Sequence, residues 1–73
     1  MTEYTLLEIQ EIEDILLVHD LPTDTLINGT LEQRVSLRSL LETDIAISRS
    51  IGDRDADERV IVLESALRKM KAS

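Results

Sequence analysis

The sequence contains no cysteine, tryptophan or phenylalanine, and Tyr4 is the one aromatic residue among its 73 positions. Without cysteine the chain has no disulfide bonds, no thiolate metal ligands and no thiol nucleophile. With a single aromatic side chain, any core must be built from leucine, isoleucine and valine. Aliphatic side chains on long segments with one proline and two glycines are typical of packed helices, so the composition favours an all-α fold.

Lysine and arginine are absent from residues 1–29, although this segment carries seven acidic side chains. These are Glu3, Glu8, Glu11, Glu13, Asp14, Asp20 and Asp24. The remaining residues carry eight acidic and eight basic side chains, so the net charge of −7 belongs entirely to the N-terminal segment. An acidic chain without an aromatic platform repels phosphate and cannot stack bases, so we expect no direct contact with nucleic acid.

The length predicts a single domain over residues 1–73 that buries too little surface to be very stable alone. Self-association is the expected source of additional stability. No apolar run approaches the ~20 residues that a membrane-spanning helix needs, and residues 1–4 lack the basic and apolar regions of a signal peptide. We therefore expect a soluble, cytoplasmic protein that does not contact a membrane.

The C-terminal part of the sequence predicts a helix over about residues 55–71. Its apolar residues recur at helical intervals of four and three: Ala56, Val60, Leu63, Leu67 and Met70. Asp55 and Glu58 match a capping box at its start, and Gly52 suits the left-handed residue that ends a preceding helix. The pattern thus indicates one helix that ends near residue 51 and another that begins shortly after it.

A first helix is predicted over about residues 5–20, with a capping box of Thr5 and Glu8 and an end before Pro22. Its main stripe is Ile9, Ile12, Leu16 and His19. Other apolar side chains lie away from that stripe: Leu6, Leu7, Leu17 and Val18. Such a helix is usually covered on more than one side. The connector over residues 21–29 is too apolar for a flexible linker, and we expect it to pack.

Thr30 and Gln33 predict the start of another helix over about residues 30–51. One broad face holds Leu37, Leu40, Leu41, Ile47 and Ile51, and a second face holds Leu31, Val35 and Ile45. This helix and the following one should form an antiparallel hairpin. The predicted fold is therefore all-α, with an N-terminal helix and a helical hairpin that form a three-helix unit completed by oligomerisation.

Patterns that would indicate catalysis or metal binding are weak. Asp53, Asp55 and Asp57 resemble the start of a calcium loop, but Glu58 stands where the loop needs glycine. His19 is the one histidine, and a metal site would usually need more such ligands. No Gly-rich phosphate loop or activated nucleophile is present. We therefore expect a non-enzymatic protein with no catalytic residue, no metal and no cofactor.

The charge distribution is the strongest indication of function. We expect the acidic N-terminal helix to dock on a basic protein through Glu8, Glu11 and Asp14, as an adaptor, a regulatory subunit or an inhibitor would. Two simpler interpretations are open. The acidic helix serves only solubility, or it lies on basic residues of the hairpin, within one subunit or between subunits. The candidate basic residues are Arg34, Arg38, Arg49, Arg59 and Arg68.

Two other functions are alternatives to protein docking. Arg34 and Arg38, one turn apart, would bind a small anion such as a nucleotide in a homo-oligomer that sequesters or senses it. The acidic helix would instead imitate nucleic acid, as inhibitors from phages and mobile elements do. Asp44 lies within an apolar face, where a polar residue can fix the register of an oligomer. The alternative for Asp44 is a simple pair with a nearby arginine.

Overall fold

The computed structural model describes residues 3–72, which fold into helices joined by short turns. The helices are α1 (Leu6–Val18), α2 (Thr25–Asn28), α3 (Leu31–Ile51) and α4 (Arg54–Ala72). No strand occurs in residues 3–72, and the all-α prediction is confirmed. None of the helices in this part of the chain combines the length and the apolar character needed to cross a membrane.

Short-range hydrogen bonds set the start of α1 and of α3. Thr5 Oγ1 accepts from the Glu8 N–H at 3.2 Å, and Glu8 Oε1 accepts from the Thr5 N–H at 2.7 Å. Thr30 and Gln33 form the same reciprocal pair at 3.1 and 2.9 Å. Both capping boxes predicted at these positions are therefore confirmed. α3 ends at Gly52, whose φ of 73° is the left-handed conformation that glycine adopts without strain.

The start of α4 differs from the prediction. Asp53 Oδ1 accepts from the Ala56 N–H at 2.7 Å, so Asp53 is the capping residue and the helix begins at Arg54. The predicted capping box of Asp55 and Glu58 is wrong, because Asp55 already lies inside the first turn. The negative charge of Asp55 still stabilises the start of α4 through its interaction with the helix macrodipole.

The connector between α1 and α3 is held against the rest of the chain. Thr25 is buried, and its hydroxyl donates to the Pro22 carbonyl at 2.6 Å. The Leu21 N–H donates to the Leu16 carbonyl at 2.8 Å, and Leu21 and Leu26 both pack on the core. These contacts leave a single short helix, α2, in place of an open loop.

The core lies between α1, α3 and α4. Its buried residues are Ile12, Ile15, Leu16, Leu37, Leu41, Ile45, Val60, Leu63, Ala66 and Met70. Glu42 and Arg49 of α3 pair with Lys71 and Glu64 of α4, respectively, so these two helices run in opposite directions. The predicted stripe of α4 faces this core, with Leu67 partly buried at its edge. α1 covers the side that two helices alone would leave open.

The buried face of α1 is rotated from the predicted one. Ile15 is 4% exposed and lies beside Ile12 and Leu16, whereas Ile9 is only half-buried and His19 is exposed. The predicted stripe is therefore wrong for His19. The reason is that α1 is apolar around much of its circumference, so the spacing alone does not select the side that packs.

The buried face of α3 is narrower than the predicted one. Ile45 joins Leu37 and Leu41 in the core, whereas Ile47 and Ile51 are more than half exposed. The broad face predicted for α3 is thus only partly buried, and Ile47 and Ile51 lie outside the core. α4 and α1 together cover only part of the apolar circumference of α3, and the outer isoleucines are left in solvent.

The cap at Asp53 gives a testable prediction. We expect Asp53→Ala to lower the free energy of unfolding by about 1 kcal/mol, because it removes the acceptor of the Ala56 N–H. Asp55→Ala removes the same charge without removing a cap, and we expect it to cost clearly less. Urea denaturation followed by circular dichroism measures both. Equal losses for the two variants would contradict the assignment of the cap to Asp53.

Candidate functional site

Glu8, predicted to contact a basic partner, lies inside the protein. Its side chain is 3% exposed. Its Oε1 accepts from Lys69 Nζ at 2.6 Å and from the Thr5 N–H at 2.7 Å. Lys69 Nζ also lies 5.9 Å from the centre of the Tyr4 ring. Glu8 therefore joins the start of α1 to the end of α4, and this burial is incompatible with a role as a surface contact.

The ionised form of Glu8 is strongly favoured by its surroundings. Burial raises the pKa of the Glu8 carboxyl, but hydrogen bonds with Lys69, Thr5 and Ser65 outweigh burial and lower the pKa from 4.5 to about 2. Burial and the adjacent charge of Glu8 raise the pKa of the Tyr4 phenol. At neutral pH the carboxyl of Glu8 is thus ionised and the phenol of Tyr4 is neutral.

Arg59 of α4 joins the two other long helices. Its Nε lies 3.4 Å from Glu11 Oε2 on α1, and its Nη2 lies 2.7 Å from Asp44 Oδ2 on α3. All three side chains are partly exposed, so each pair contributes only about 0–1 kcal/mol, and their main effect is to orient the helices. Glu11, a predicted partner contact, is thus already paired within the chain. Asp44 makes the arginine pair that was the alternative to its role in register.

Asp14 is the predicted contact that remains exposed, and it lies on the side of α1 that points away from the core. We call this side the outer face. It comprises Leu6, Leu7, Gln10, Glu13, Asp14, Leu17 and Val18, all of them exposed. Leu6 and Leu7 are 70% and 62% exposed, and Leu17 and Val18 are 64% and 80% exposed. Apolar side chains therefore lie at both ends of the outer face, with the acidic residues between them.

Arg34 and Arg38 line one groove near α2 and the C-terminal half of α4, which we call the arginine groove. Its lining consists of Tyr4, Leu26, Leu31, Arg34, Val35, Arg38 and Met70. Arg34 Nη2 donates to the Ile27 carbonyl at 3.1 Å, which attaches this side chain to α2. The structure thus brings the two residues of the predicted anion site together, with no carboxylate in the lining.

A second groove lies between the C-terminal half of α1 and the middle of α3, and we call it the α1–α3 groove. Its apolar lining is Ile15, Val18, Leu40 and Ile47, and its polar lining is Asp14, His19, Thr43, Asp44 and Arg59. Both signs of charge are present along this groove. Asp44, the residue predicted to fix the register of an oligomer, therefore lies beside exposed apolar side chains.

The described residues contain no group of three or more His, Asp or Glu side chains placed to hold a metal ion. Asp53, part of the calcium-loop resemblance, caps α4 through its carboxylate. No protein-family model, curated protein or solved structure matches the chain.

Sequence reasoning did not identify Lys69 as the partner of Glu8, because the two residues are 61 positions apart. A lysine in the last turn of a helix is also favoured by the helix dipole alone, so its presence did not indicate a buried pair. The capping box of Thr5 and Glu8 was a signal for the backbone contact only. It gave no indication that the same carboxylate also binds α4.

The lowered pKa of Glu8 predicts a characteristic dependence of stability on pH. A carboxyl with a pKa of 4.5 unfolded and about 2 folded stabilises the protein above pH 4.5, and this contribution is lost as the pH falls from 4.5 to 2. At neutral pH it amounts to at most about 3 kcal/mol. We expect Glu8→Gln to be less stable than wild type at pH 7 by roughly 1–3 kcal/mol, with the difference disappearing near pH 2.

Urea denaturation at a series of pH values measures this difference. Glu13→Gln is the matched control, because it removes an exposed carboxylate from the same helix, and we expect its stability to follow that of wild type at every pH. A destabilisation by Glu8→Gln that persists unchanged at pH 2 would show that the ionised Glu8 carboxylate is not its cause.

Proposed function

We propose that the protein is a non-enzymatic binding module that docks on a basic protein through the outer face of α1. The observation that supports this most is the exposure of Leu6, Leu7, Leu17 and Val18 at the two ends of an acidic helix. Full burial of one such side chain is worth about 1.5–3 kcal/mol. A partner that covers even two of them gains substantial affinity.

The acidic middle of the outer face defines the partner's chemistry. Glu13 and Asp14 are exposed, and neither makes an ion pair with any residue in 3–72. A complementary surface has one or more basic residues between two apolar patches. Charges of this kind raise the association rate and exclude acidic partners, whereas the leucines at the ends add affinity through the apolar area that the partner buries.

The outer face is a poor surface for pairing with its own copy. In a two-fold pair of α1 helices, Glu13 and Asp14 of both copies would lie close together near the symmetry axis, where like charges repel. Imitation of nucleic acid also has less support than protein docking. Glu8 and Glu11 are paired with Lys69 and Arg59, so the spaced row of carboxylates that mimicry needs is interrupted.

Self-association is better supported at the α1–α3 groove, where we place the contact of a homodimer. Val18 and Ile47 are 80% and 54% exposed there, and the polar lining carries both signs of charge, so two copies need not repel. Val18 and Asp14 belong to both surfaces, so the dimer leaves Leu6, Leu7, Glu13 and Leu17 for the basic partner. Asp44 lines this groove, and the proposal is that from there it fixes the register of the pair. The protein is expected to act in the cytoplasm as such a dimer.

The docking proposal is tested with the full chain by pull-down from a lysate of the source cell at low and high salt. We expect a basic protein to be retained at low salt, and Leu17→Asn to reduce its retention roughly tenfold, since loss of one well-buried anchor costs more than about 1 kcal/mol. Asp14→Lys should also reduce retention of the basic protein, and its effect should be larger at low salt than at high salt.

Matched controls exist for both variants. Ile51→Asn replaces an equally exposed apolar residue outside the outer face, and Glu42→Lys reverses an exposed charge on α3 in a groove that contains no α1 residue. Both controls should retain the partner as wild type does. Glu8→Lys is unsuitable, because it breaks the buried pair and would unfold the protein. Retention that is insensitive to Leu17→Asn, or equally sensitive to Ile51→Asn, would contradict docking through the outer face.

The dimer proposal is tested by sedimentation equilibrium. We expect wild type to sediment above the 8.3 kDa of one chain and Ile47→Asp to sediment as a monomer, because a charge in the apolar contact is not compensated. Ile61→Asp, at a more exposed isoleucine on α4, is the control and should leave the mass unchanged. Asp44→Leu should change the stoichiometry if Asp44 fixes the register. A monomeric wild type at all attainable concentrations would contradict the dimer.

A further inference from the structure

Arg34 and Arg38 are two of the three basic residues that form no ion pair within residues 3–72. The third, Arg68, lines a separate groove that contains the carboxylates of Glu42 and Glu64. Five of the eight basic side chains pair with a carboxylate: Arg49, Arg54, Arg59, Lys69 and Lys71. Arg34 and Arg38 pair with none in the described part of the chain, although the chain as a whole has nearly twice as many acidic as basic residues. Positive charge in the arginine groove is therefore left without an internal counter-charge.

The two guanidinium groups are placed to act together. Arg34 and Arg38 are one turn apart on α3, so both side chains emerge on the same side of the helix, and both line the same groove. The hydrogen bond from Arg34 to the Ile27 carbonyl fixes the first guanidinium while leaving several of its N–H groups free. Arg38 is half-buried and makes no hydrogen bond or ion pair within residues 3–72.

The remainder of the groove is apolar and contains the one aromatic ring of the chain. Leu31 and Val35 are 79% and 47% exposed at its edge, and Leu26, Met70 and the half-buried Tyr4 complete the lining. A simple inorganic anion would use the guanidinium groups and leave this apolar surface uncovered. A ligand that carries a flat apolar group next to its charge would use both parts.

We propose that the arginine groove binds a small organic phosphate with a planar apolar group, the chemistry of a mononucleotide. Two guanidinium groups neutralise the dianionic phosphate and donate paired hydrogen bonds to its oxygens. The planar group lies against Tyr4 and the aliphatic side chains of the groove. A long polyanion is disfavoured, because the net charge of −7 repels every phosphate beyond the groove.

This proposal does not depend on protein docking, because the arginine groove and the outer face share no residue. Binding to the groove can succeed where the pull-down fails, and the reverse also holds. The substitutions used to test one surface leave the lining of the other unchanged.

The test is isothermal titration calorimetry of the full-length protein at low salt with a 5′-mononucleotide, with inorganic phosphate and with the matching nucleoside. We expect saturable binding of the mononucleotide, at least tenfold weaker binding of inorganic phosphate, and at least tenfold weaker binding of the nucleoside. Arg38→Gln and Arg34→Gln should each weaken mononucleotide binding at least tenfold. Arg54→Gln, the same charge change at an exposed position outside the groove, should leave it unchanged.

Tyr4 provides an independent readout. As the one aromatic residue, it gives a single set of ring resonances, which we expect the mononucleotide to shift and inorganic phosphate to shift less. Tyr4→Leu should weaken binding of the mononucleotide and leave the weak binding of inorganic phosphate unchanged. The proposal is overturned if no mononucleotide binds saturably, if Arg54→Gln weakens binding as much as Arg38→Gln, or if inorganic phosphate binds as tightly as the nucleotide.

Discussion

Burial of the apolar stripe of α4 is the constraint on which the rest of the structure depends. Val60, Leu63, Ala66 and Met70 are all nearly inaccessible to solvent, and covering them requires two neighbours, α3 on one side and α1 on the other. Ala66 is completely buried, and a small residue at this position lets the neighbouring helices approach closely. With an aliphatic core and no cysteine for a disulfide bond, burial of this stripe is a main source of the stability of a single chain.

The same packing determines how much of the acidic charge of α1 is available for binding. Because α1 lies against α4, Glu8 forms an ion pair with Lys69 and Glu11 forms one with Arg59. The sequence-based alternative in which the acidic helix lies on basic residues of the hairpin therefore describes part of α1, and it is realised within one chain. The carboxylates left for a partner, Glu13 and Asp14, are on the opposite side of the helix. Charge counted along the sequence thus overstates the charge at the surface.

Features set by neighbouring residues could be predicted from the sequence, and features set by distant ones could not. Thr5 with Glu8 and Thr30 with Gln33 mark helix starts because each pair needs only one turn of chain. The prediction placed the cap of α4 at Asp55, two residues after the actual cap at Asp53, because several adjacent acidic residues satisfy the same local pattern. Local rules identify the end of a helix well but do not choose between equivalent donors and acceptors two residues apart.

The choice of buried face required information that a single helix does not contain. α1 and α3 are both apolar over more than one stripe, so the periodicity favoured a stripe with Ile9 and His19 and left out Ile15, which the structure buries. Ile47 and Ile51 satisfied the helical spacing as well as Ile45 does. Only the position of α4 decides among these residues. Arg34 and Arg38, by contrast, were correctly grouped, because a spacing of four on one helix is sufficient to place two side chains together.

Tyr4 and Lys69 connect the two surfaces of the protein physically. Tyr4 lines the arginine groove, Lys69 lies over its ring at 5.9 Å, and Lys69 in turn binds Glu8 in the first turn of α1. A ligand in the groove that moved Tyr4 would therefore act on the contact that fixes α1 to α4. Such an effect would be reciprocal. The factor by which the ligand changes the affinity for the partner would equal the factor by which the partner changes the affinity for the ligand. If Tyr4 stays in place when the groove is filled, this route carries no coupling, and the outer face and the groove bind their ligands independently.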